Sequence, residues 1–345
     1  MSERSAGAGP IIRTVDYHAG GEPFRIVVEG APDLEGRTVL ERRRWARQNL
    51  DHVRQLLVNE PRGHADMYGC FVTPPNDDGA DLGVVFFHNE GYSTACGHGT
   101  IALVTWAIDE GRVAATGPET KVVVDAPSGR LECRARVGDG RVESVAFRNV
   151  PSWVLARDVD VPTSRGVVRA DVAYGGAFYG SVDALAVGLD VSSASLPALI
   201  ALQRELRPAL EARLDPRHPQ GPDLAGIYGV VFWQAEPAEP GAGLVQRNVT
   251  VFADGEVDRS PCGSGTSARL ALLDAAAGGP LARGASLRHR SIVDSIFTGR
   301  VLAAGPDVGG RPTVITEVEG SAFRTGRHAF ELDGRDPIGT GFLLR

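Results

Sequence analysis

Lysine is all but missing from this chain of 345 residues: among 36 Lys and Arg side chains, Lys121 is the only lysine. It sits in a β-like run, "TKVVVDA". A pyridoxal phosphate enzyme needs a Schiff-base lysine, and a P-loop needs the lysine of its G-K-[ST] end. Lys121 fits neither context, and both classes are set aside. Cysteine is scarce too. The four cysteines show no CxxC and no regular spacing, so they form no disulfide framework and point to a reducing, cytoplasmic setting. No apolar run reaches the roughly 20 residues of a membrane span. "MSERSAGAGP" lacks the basic and apolar regions of a signal peptide and reads as a short flexible leader. Positive charge is not in excess: a net charge of −7 leaves no electrostatic footprint for nucleic acid or an anionic membrane. What is left is ordinary globular composition, 43% hydrophobic and 23% charged, in a chain long enough for two domains.

Against that background the placement of two cysteines stands out. "STACGHGT" occupies 93–100 and "SPCGSGTS" occupies 260–267. Each follows a β-like run, "LGVVFFHNEGY" or "RNVTVFADGEV", and each leads into an apolar helical stretch, "IALVTWAIDEG" or "SARLALLDAAAGG". Strand, turn, cysteine, glycines and helix therefore occur twice, the mark of an internal duplication. Both helices are apolar on nearly every side, which places them inside protein.

The flanking segments fit two similar halves. In the first, "IIRTVDYHA", "FRIVVEG", "DMYGCFVTP" and "DLGVVFFHN" read as strands. A single helix is expected over 39–60, with Leu40, Trp45, Leu50, Val53 and Leu57 at helical spacing. "KVVVDAP" and "GRLECRARVGDGRVESVAF" follow as strands, with "GDGR" as a hairpin turn. In the second half, "RGVVRADVAYGGAFYGSVDA", "IYGVVFWQ" and "RNVTVFADG" read as strands and "ASLPALIALQRELRPALEARL" as a long amphipathic helix. "SLRHRSIVDSIFTGRVLAA" and "TVITEVEGSAFRTGRHAFEL" read as closing hairpins. The division falls near 149–162, giving domains 1–155 and 156–345, and the last strand, "GTGFLL", is free to return to either.

A helix N-terminus offers unpaired N–H groups and a partial positive charge. Glycines at 97, 99, 263 and 265 let a ligand approach those amides closely. Two facing helix starts would clamp a carboxylate and are expected to lower the Cys96 and Cys262 thiols from about 8.5 toward neutrality. Thiols on opposite sides of a clamped carboxylate face the two sides of its α-carbon. One can remove the α-proton while the other donates, inverting the centre by acid–base catalysis without a cofactor. Cys70 and Cys133, inside β-like runs, read as buried structural residues. A zinc site is disfavoured, since Cys96, His98 and Cys262 lack ligand spacing and "PCGSG" lacks the second cysteine of a deaminase motif. Asp258 reads either as a turn or cap residue or as the partner of a substrate ammonium. His98 is divided between loop structure and substrate contact, and His18, His64 and His88 read as structural hydrogen-bonders.

These residues resemble the proline racemase family, which includes hydroxyproline 2-epimerases and trans-3-hydroxy-L-proline dehydratases. The likeness runs from "DYHAGGEPFRIV" through "NEPRGHADMYG", "HNEGYSTACGHGT" and "DRSPCGSGT" to "SIFTGR" and "GTGFLL". It implies an α/β (α+β) fold of two pseudo-symmetric diaminopimelate-epimerase-like domains, each a mixed sheet or barrel wrapped around a central helix, with the site in the cleft between them. It implies Cys96 and Cys262 as the acid/base pair, substrate contacts at Gly97, His98, Gly263 and Ser264, Asp258 with His98 at the ring nitrogen, and Tyr68 and Phe252 flanking the ring. It implies no cofactor and no metal, a small-molecule substrate, no nucleic-acid or membrane partner, and a homodimer as the assembly to test. "EPRGHADMYG" and "HNEGYST" are similar to the dehydratase branch, yet that branch usually carries threonine where this chain has Cys262. Racemisation or epimerisation of proline or hydroxyproline therefore ranks first, dehydration second, and a non-catalytic amino-acid-binding protein a distant third.

Overall fold

The computed structural model describes residues 11–239, 243–276, 281 and 283–344; the leader at 1–10 lies outside them. In the first half the chain forms β1 (Ile12–Ala19), β2 (Glu22–Glu29), α1 (Val39–Asn49), α2 (Asp51–Val58), β3 (Tyr68–Thr73), β4 (Leu82–His88), α3 (Gly97–Asp109), β5 (Glu119–Ala126), β6 (Gly129–Gly138) and β7 (Arg141–Arg148). In the second it forms β8 (Trp153–Thr163), β9 (Gly166–Tyr174), β10 (Phe178–Asp183), α4 (Leu196–Leu214), β11 (Arg217–His218), β12 (Gly221–Ala225), β13 (Ile227–Ala235), β14 (Leu244–Phe252), β15 (Glu256–Asp258), α5 (Gly263–Asp274), β16 (Ser286–Ser291), β17 (Ile296–Val308) and β18 (Arg311–Gly320), before a final β19 (Ala322–Phe330).

The duplication is written into the strand pairing. In the first half β1 and β2 are antiparallel, β2 and β3 parallel, β3 and β4 antiparallel, β4 and β5 parallel, and β5 to β7 an antiparallel meander. The second half repeats that series with β9, β10, β13, β14, β16, β17 and β18. A parallel pair needs a crossover, and helices fill those places: α1 and α2 match α4, and α3 matches α5. The first set of strands curls around α3 and the second around α5. Both helices are buried on all sides, α3 from Gly97 to Ala107 and α5 from Gly263 to Leu273. The halves join through the antiparallel pair β7 and β18.

Several elements differ from expectation. The helix expected over 39–60 is two helices broken at Leu50. α1 starts at a reciprocal cap, in which Glu41 N–H donates to the Thr38 hydroxyl and Thr38 N–H to the Glu41 carboxylate. Asp51 then begins α2, its carboxylate accepting from Arg54 and Gln55. The closing segment is not a hairpin. β18 is already flanked by β17 and β7, so β19 finds no edge there and crosses to β1, pairing from Ile12 to Ala19. Phe342, in the last segment, exchanges backbone hydrogen bonds with Glu60 beside α2 as a single bridge. Residues 155 and 156, where the two domains are expected to divide, lie inside β8, which pairs with β9 from Trp153 to Thr163. Among the described residues, no helix is long and apolar enough to cross a membrane.

Candidate active site

Cys96 and Cys262 are the N-cap residues of α3 and α5, and their sulfurs take the place usually held by a serine or aspartate oxygen. Cys96 Sγ accepts from Gly99 N–H at 3.2 Å, and Cys262 Sγ from Gly265 N–H at 3.4 Å. Glycine at the third position is required by this contact: a Cβ on Gly99 would lie 2.7 Å from Cys96 Sγ. The two caps are not identical in backbone. Cys96 is extended at φ −152°, whereas Cys262 has φ +60°, a region non-glycine residues seldom occupy outside constrained sites. The helix starts meet through Gly97 and Gly263, whose backbones touch.

One small pocket between the halves is lined by Tyr68, Cys96, Gly97, His98, Phe252, Asp258, Cys262 and Ser264. Gly263 lies behind them at the helix contact. Each of the nine residues singled out from the sequence is therefore in or against this pocket. Its free volume is about 10 Å³, room for about one water, so a five-membered ring enters only when the walls part. A larger cavity of about 560 Å³ lies beside it, lined by Arg43, Arg47, Arg54 and Arg207 among others, and Tyr228 is common to both.

The electrostatics depart from the sequence expectation. Burial, not the helix field, dominates both thiols. It pushes Cys96 well up, aided by the charges of Asp258, Cys262 and Glu22 and opposed by the Gly99 N–H. Cys262 is pushed up to about 12 by burial and Asp258, against the Gly265 N–H and the Tyr179 hydroxyl. The expected lowering toward neutrality is overturned because a thiol on a cysteine only 6% exposed loses more hydration than one N–H returns. His98 sits 3.5 Å from Cys96 Sγ, but burial lowers its pKa to about 3, so it is a neutral imidazole and forms no ion pair with the thiol. Asp258 is raised to about 6 by burial, with Ser260, Cys262 and Arg259 acting against it.

Arg259, the residue after Asp258, is held from the first half. The β1–β2 turn carries Glu22, which accepts from Arg259 N–H at 2.7 Å, and Gly20, whose carbonyl accepts from the Ser295 hydroxyl at 2.7 Å. Arg259 also pairs with Asp66 at 2.6 Å. Glu22 is fully buried, and its other oxygen has no hydrogen-bond partner.

Sequence reasoning missed two tyrosines of the pocket, Tyr179 and Tyr228. Tyr179 OH bonds Ser264 Oγ at 2.7 Å and lies 3.9 Å from Cys262 Sγ. Tyr228 OH is 2.9 Å from Tyr68 OH, and its ring stacks on Phe252 at 5.3 Å. The duplication itself carried the signal. "MYGCFV" at β3 and "IYGVVF" at β13 place Tyr68 and Tyr228 alike, and "GGEPF" and "GGAFY" before β2 and β10 do the same for Phe24 and Tyr179. The equivalent contacts follow: Phe24 packs edge-on against His98 at 5.7 Å, as Tyr179 bonds Ser264.

Two capped thiols at abutting helix starts, a buried carboxylate and backbone amides suit recognition of a small zwitterion and proton transfer at its α-carbon. A profile of the family described as proline racemase matches residues 14–343. The chain belongs to the proline racemase family. It is 48% identical over 335 residues to a trans-3-hydroxy-L-proline dehydratase of Burkholderia ambifaria, covering 97% of this chain and 98% of that protein. It is 47% identical, over the same shares, to a 3-hydroxyproline 2-epimerase of Burkholderia multivorans. Among solved structures, a hydroxyproline epimerase from Agrobacterium vitis with bound trans-4-hydroxy-L-proline superposes with a TM-score of 0.89 at 33% identity, covering 97% of this chain and 96% of that one. Among the described residues, no group of three or more His, Cys, Asp or Glu side chains is arranged to hold a metal ion. Lys121 lies outside the pocket on β5, 3.8 Å from Glu132.

Proposed function

We propose that this proline racemase family member removes the α-proton of trans-3-hydroxy-L-proline with a thiolate and expels water, giving Δ1-pyrroline-2-carboxylate. The observation that carries the choice of reaction is the 48% identity, across 97% of the chain, to a protein named for that dehydration. This reverses the order drawn from the sequence, in which inversion stood first. Both reactions share the first step, so the paired thiols favour neither on their own.

In this reading the substrate carboxylate sits on the amides that open α3 and α5, where the dipoles stabilise charge as it develops at the α-carbon. Asp258 takes the ring ammonium, with neutral His98 beside it, and Tyr68 and Phe252 flank the ring. The positive ammonium offsets what burial does to the thiols, so the base forms with substrate in place. The Cα–H bond breaks to the thiolate, its electron pair becomes the Cα=C3 bond, the C3–O bond breaks, and the enamine tautomerises to the imine. Inversion at Cα is the second reading, favoured by Cys262, whose thiol is capped as Cys96 is. The test is product analysis: enzyme and trans-3-hydroxy-L-proline are incubated, the imine is reduced to proline with borohydride, and the mixture is resolved on a chiral column. Proline as the main product supports dehydration. Cis-3-hydroxy-D-proline without proline would move inversion back to first place.

A further inference from the structure

Loss of water from C3 needs a proton for the departing hydroxide, and the thiol that acts as base is not free to give one. In trans-3-hydroxy-L-proline the hydroxyl and the α-hydrogen project from the same ring face, because the hydroxyl is trans to the carboxylate. The proton donor therefore belongs on the side of the thiol that acts as base. Hydroxyls line the pocket on both sides. Beside Cys262 is Tyr179, 1% exposed, whose hydroxyl is bonded to Ser264 and to no other hydroxyl among the described residues. On the side of Cys96 is Tyr68, which lines the pocket with its ring 4.9 Å from that of His98, itself 3.5 Å from Cys96 Sγ. Its hydroxyl bonds both Ser93 Oγ and Tyr228 OH. Tyr228 is only half-buried and also lines the large cavity outside. Among the described residues Tyr68 thus has two hydroxyl partners to support its ionised form, and Tyr179 has one.

We propose that Tyr68 donates the proton to the departing C3 hydroxyl, with Ser93 and Tyr228 bonding the tyrosinate that this leaves. This rests on the dehydration reading above. The balance is complete. Cys96 thiolate takes the α-proton, Tyr68 gives its proton as the C3–O bond breaks and water leaves, and the resulting tyrosinate accepts hydrogen bonds from Ser93 and Tyr228 until water, entering as the product leaves, reprotonates it. Cys96 then returns its proton to solvent. Burial raises the Tyr68 pKa while the bonds to Ser93 and Tyr228 act in the opposite direction, the arrangement of a group that is neutral at rest and supported when it ionises. Ser93 and Tyr68 come from the first half and Tyr228 from the second, so the three hydroxyls meet only when the halves are closed on each other.

The experiment compares Tyr68→Phe, Tyr228→Phe and Tyr179→Phe on two substrates, trans-3-hydroxy-L-proline and trans-3-fluoro-L-proline, with α-deuterium uptake in D₂O as a third readout. Fluoride leaves without being protonated, so it does not need the donor. General acid catalysis contributes about 10²–10⁴-fold. Tyr68→Phe is expected to lose water elimination by at least ~100-fold, with fluoride release and α-exchange falling far less. Tyr228→Phe is expected to show the same split, smaller in size, and Tyr179→Phe no split. Water elimination persisting in Tyr68→Phe, or fluoride release falling in parallel with it, would overturn the assignment. So would the split appearing in Tyr179→Phe instead. If wild-type enzyme exchanges the α-hydrogen but releases no water, the dehydration reading itself fails and the donor role falls with it; that result is read from the wild type alone.

Discussion

Gly97 and Gly263 touch backbone to backbone where α3 and α5 begin, and a Cβ on Gly263 would lie 2.7 Å from the Gly97 Cα. Backbone cannot move aside as a flexible side chain can. Gly263→Ala is therefore expected to push the two helix starts apart, at about 1–3 kcal/mol of stability. The loss in rate should be larger than that cost implies, because a misplacement of about 1 Å in a reacting pair can reduce turnover ~100-fold. Thermal unfolding by circular dichroism, with product formation measured at a temperature where the variant stays folded, separates the two effects. Normal kcat/KM in the variant would show that close approach of the helix starts is not used.

Cys262→Thr tests what the second thiol is for. Threonine is a competent N-cap, but its branched Cβ is strained at the φ of +60° that this position holds, so the variant is expected to stay folded at a cost of about 1–3 kcal/mol. Any inversion at Cα should vanish, because a hydroxyl is a far weaker proton donor and base than a thiol at this site. Water elimination from trans-3-hydroxy-L-proline should continue. Loss of both activities together, with folding intact, would mean that Cys262 takes part in elimination.

Glu22 sits without exposure between Asp258 and Asp66, and burial, ahead of those charges, holds its pKa well above the ordinary 4.5 despite Arg259. A carboxyl raised on folding binds its proton more tightly in the folded state. Its contribution to stability is full below its unfolded pKa and is lost as pH rises through the folded value. Glu22→Gln keeps an acceptor for the Arg259 N–H and cannot ionise. Its Tm should exceed that of wild type at neutral pH, and the gap should close as pH falls toward about 4.5. Differential scanning calorimetry across that range reads the gap directly; a gap independent of pH would show that Glu22 carries no buried charge.

The sequence made the site legible because the duplication put each part on the page twice. C-G-x-G-T fixed the thiols, the caps and the helix contact at Gly97 and Gly263 in one motif. The apolar runs after it announced helices surrounded by strands. Other features depended on distance. Nothing local says that β19 leaves β18 for β1, since that follows from both edges of β18 being taken. Nothing local shows that Glu22 reaches across to Arg259, 237 positions away. The thiol pKa was misjudged because helix starts are visible in sequence, whereas the depth at which two of them meet is not.

The role of the paired thiols as the base is tested most directly by the double variant Cys96→Ser/Cys262→Ser. Serine caps helices as well as cysteine does here or better, so circular dichroism should report a folded protein, and only the two sulfurs are removed. Incubated in D₂O with trans-3-hydroxy-L-proline, wild type should form Δ1-pyrroline-2-carboxylate and the double variant neither that imine nor α-deuterated substrate. Imine formation by a folded double variant at a rate near wild type would contradict the thiol mechanism outright.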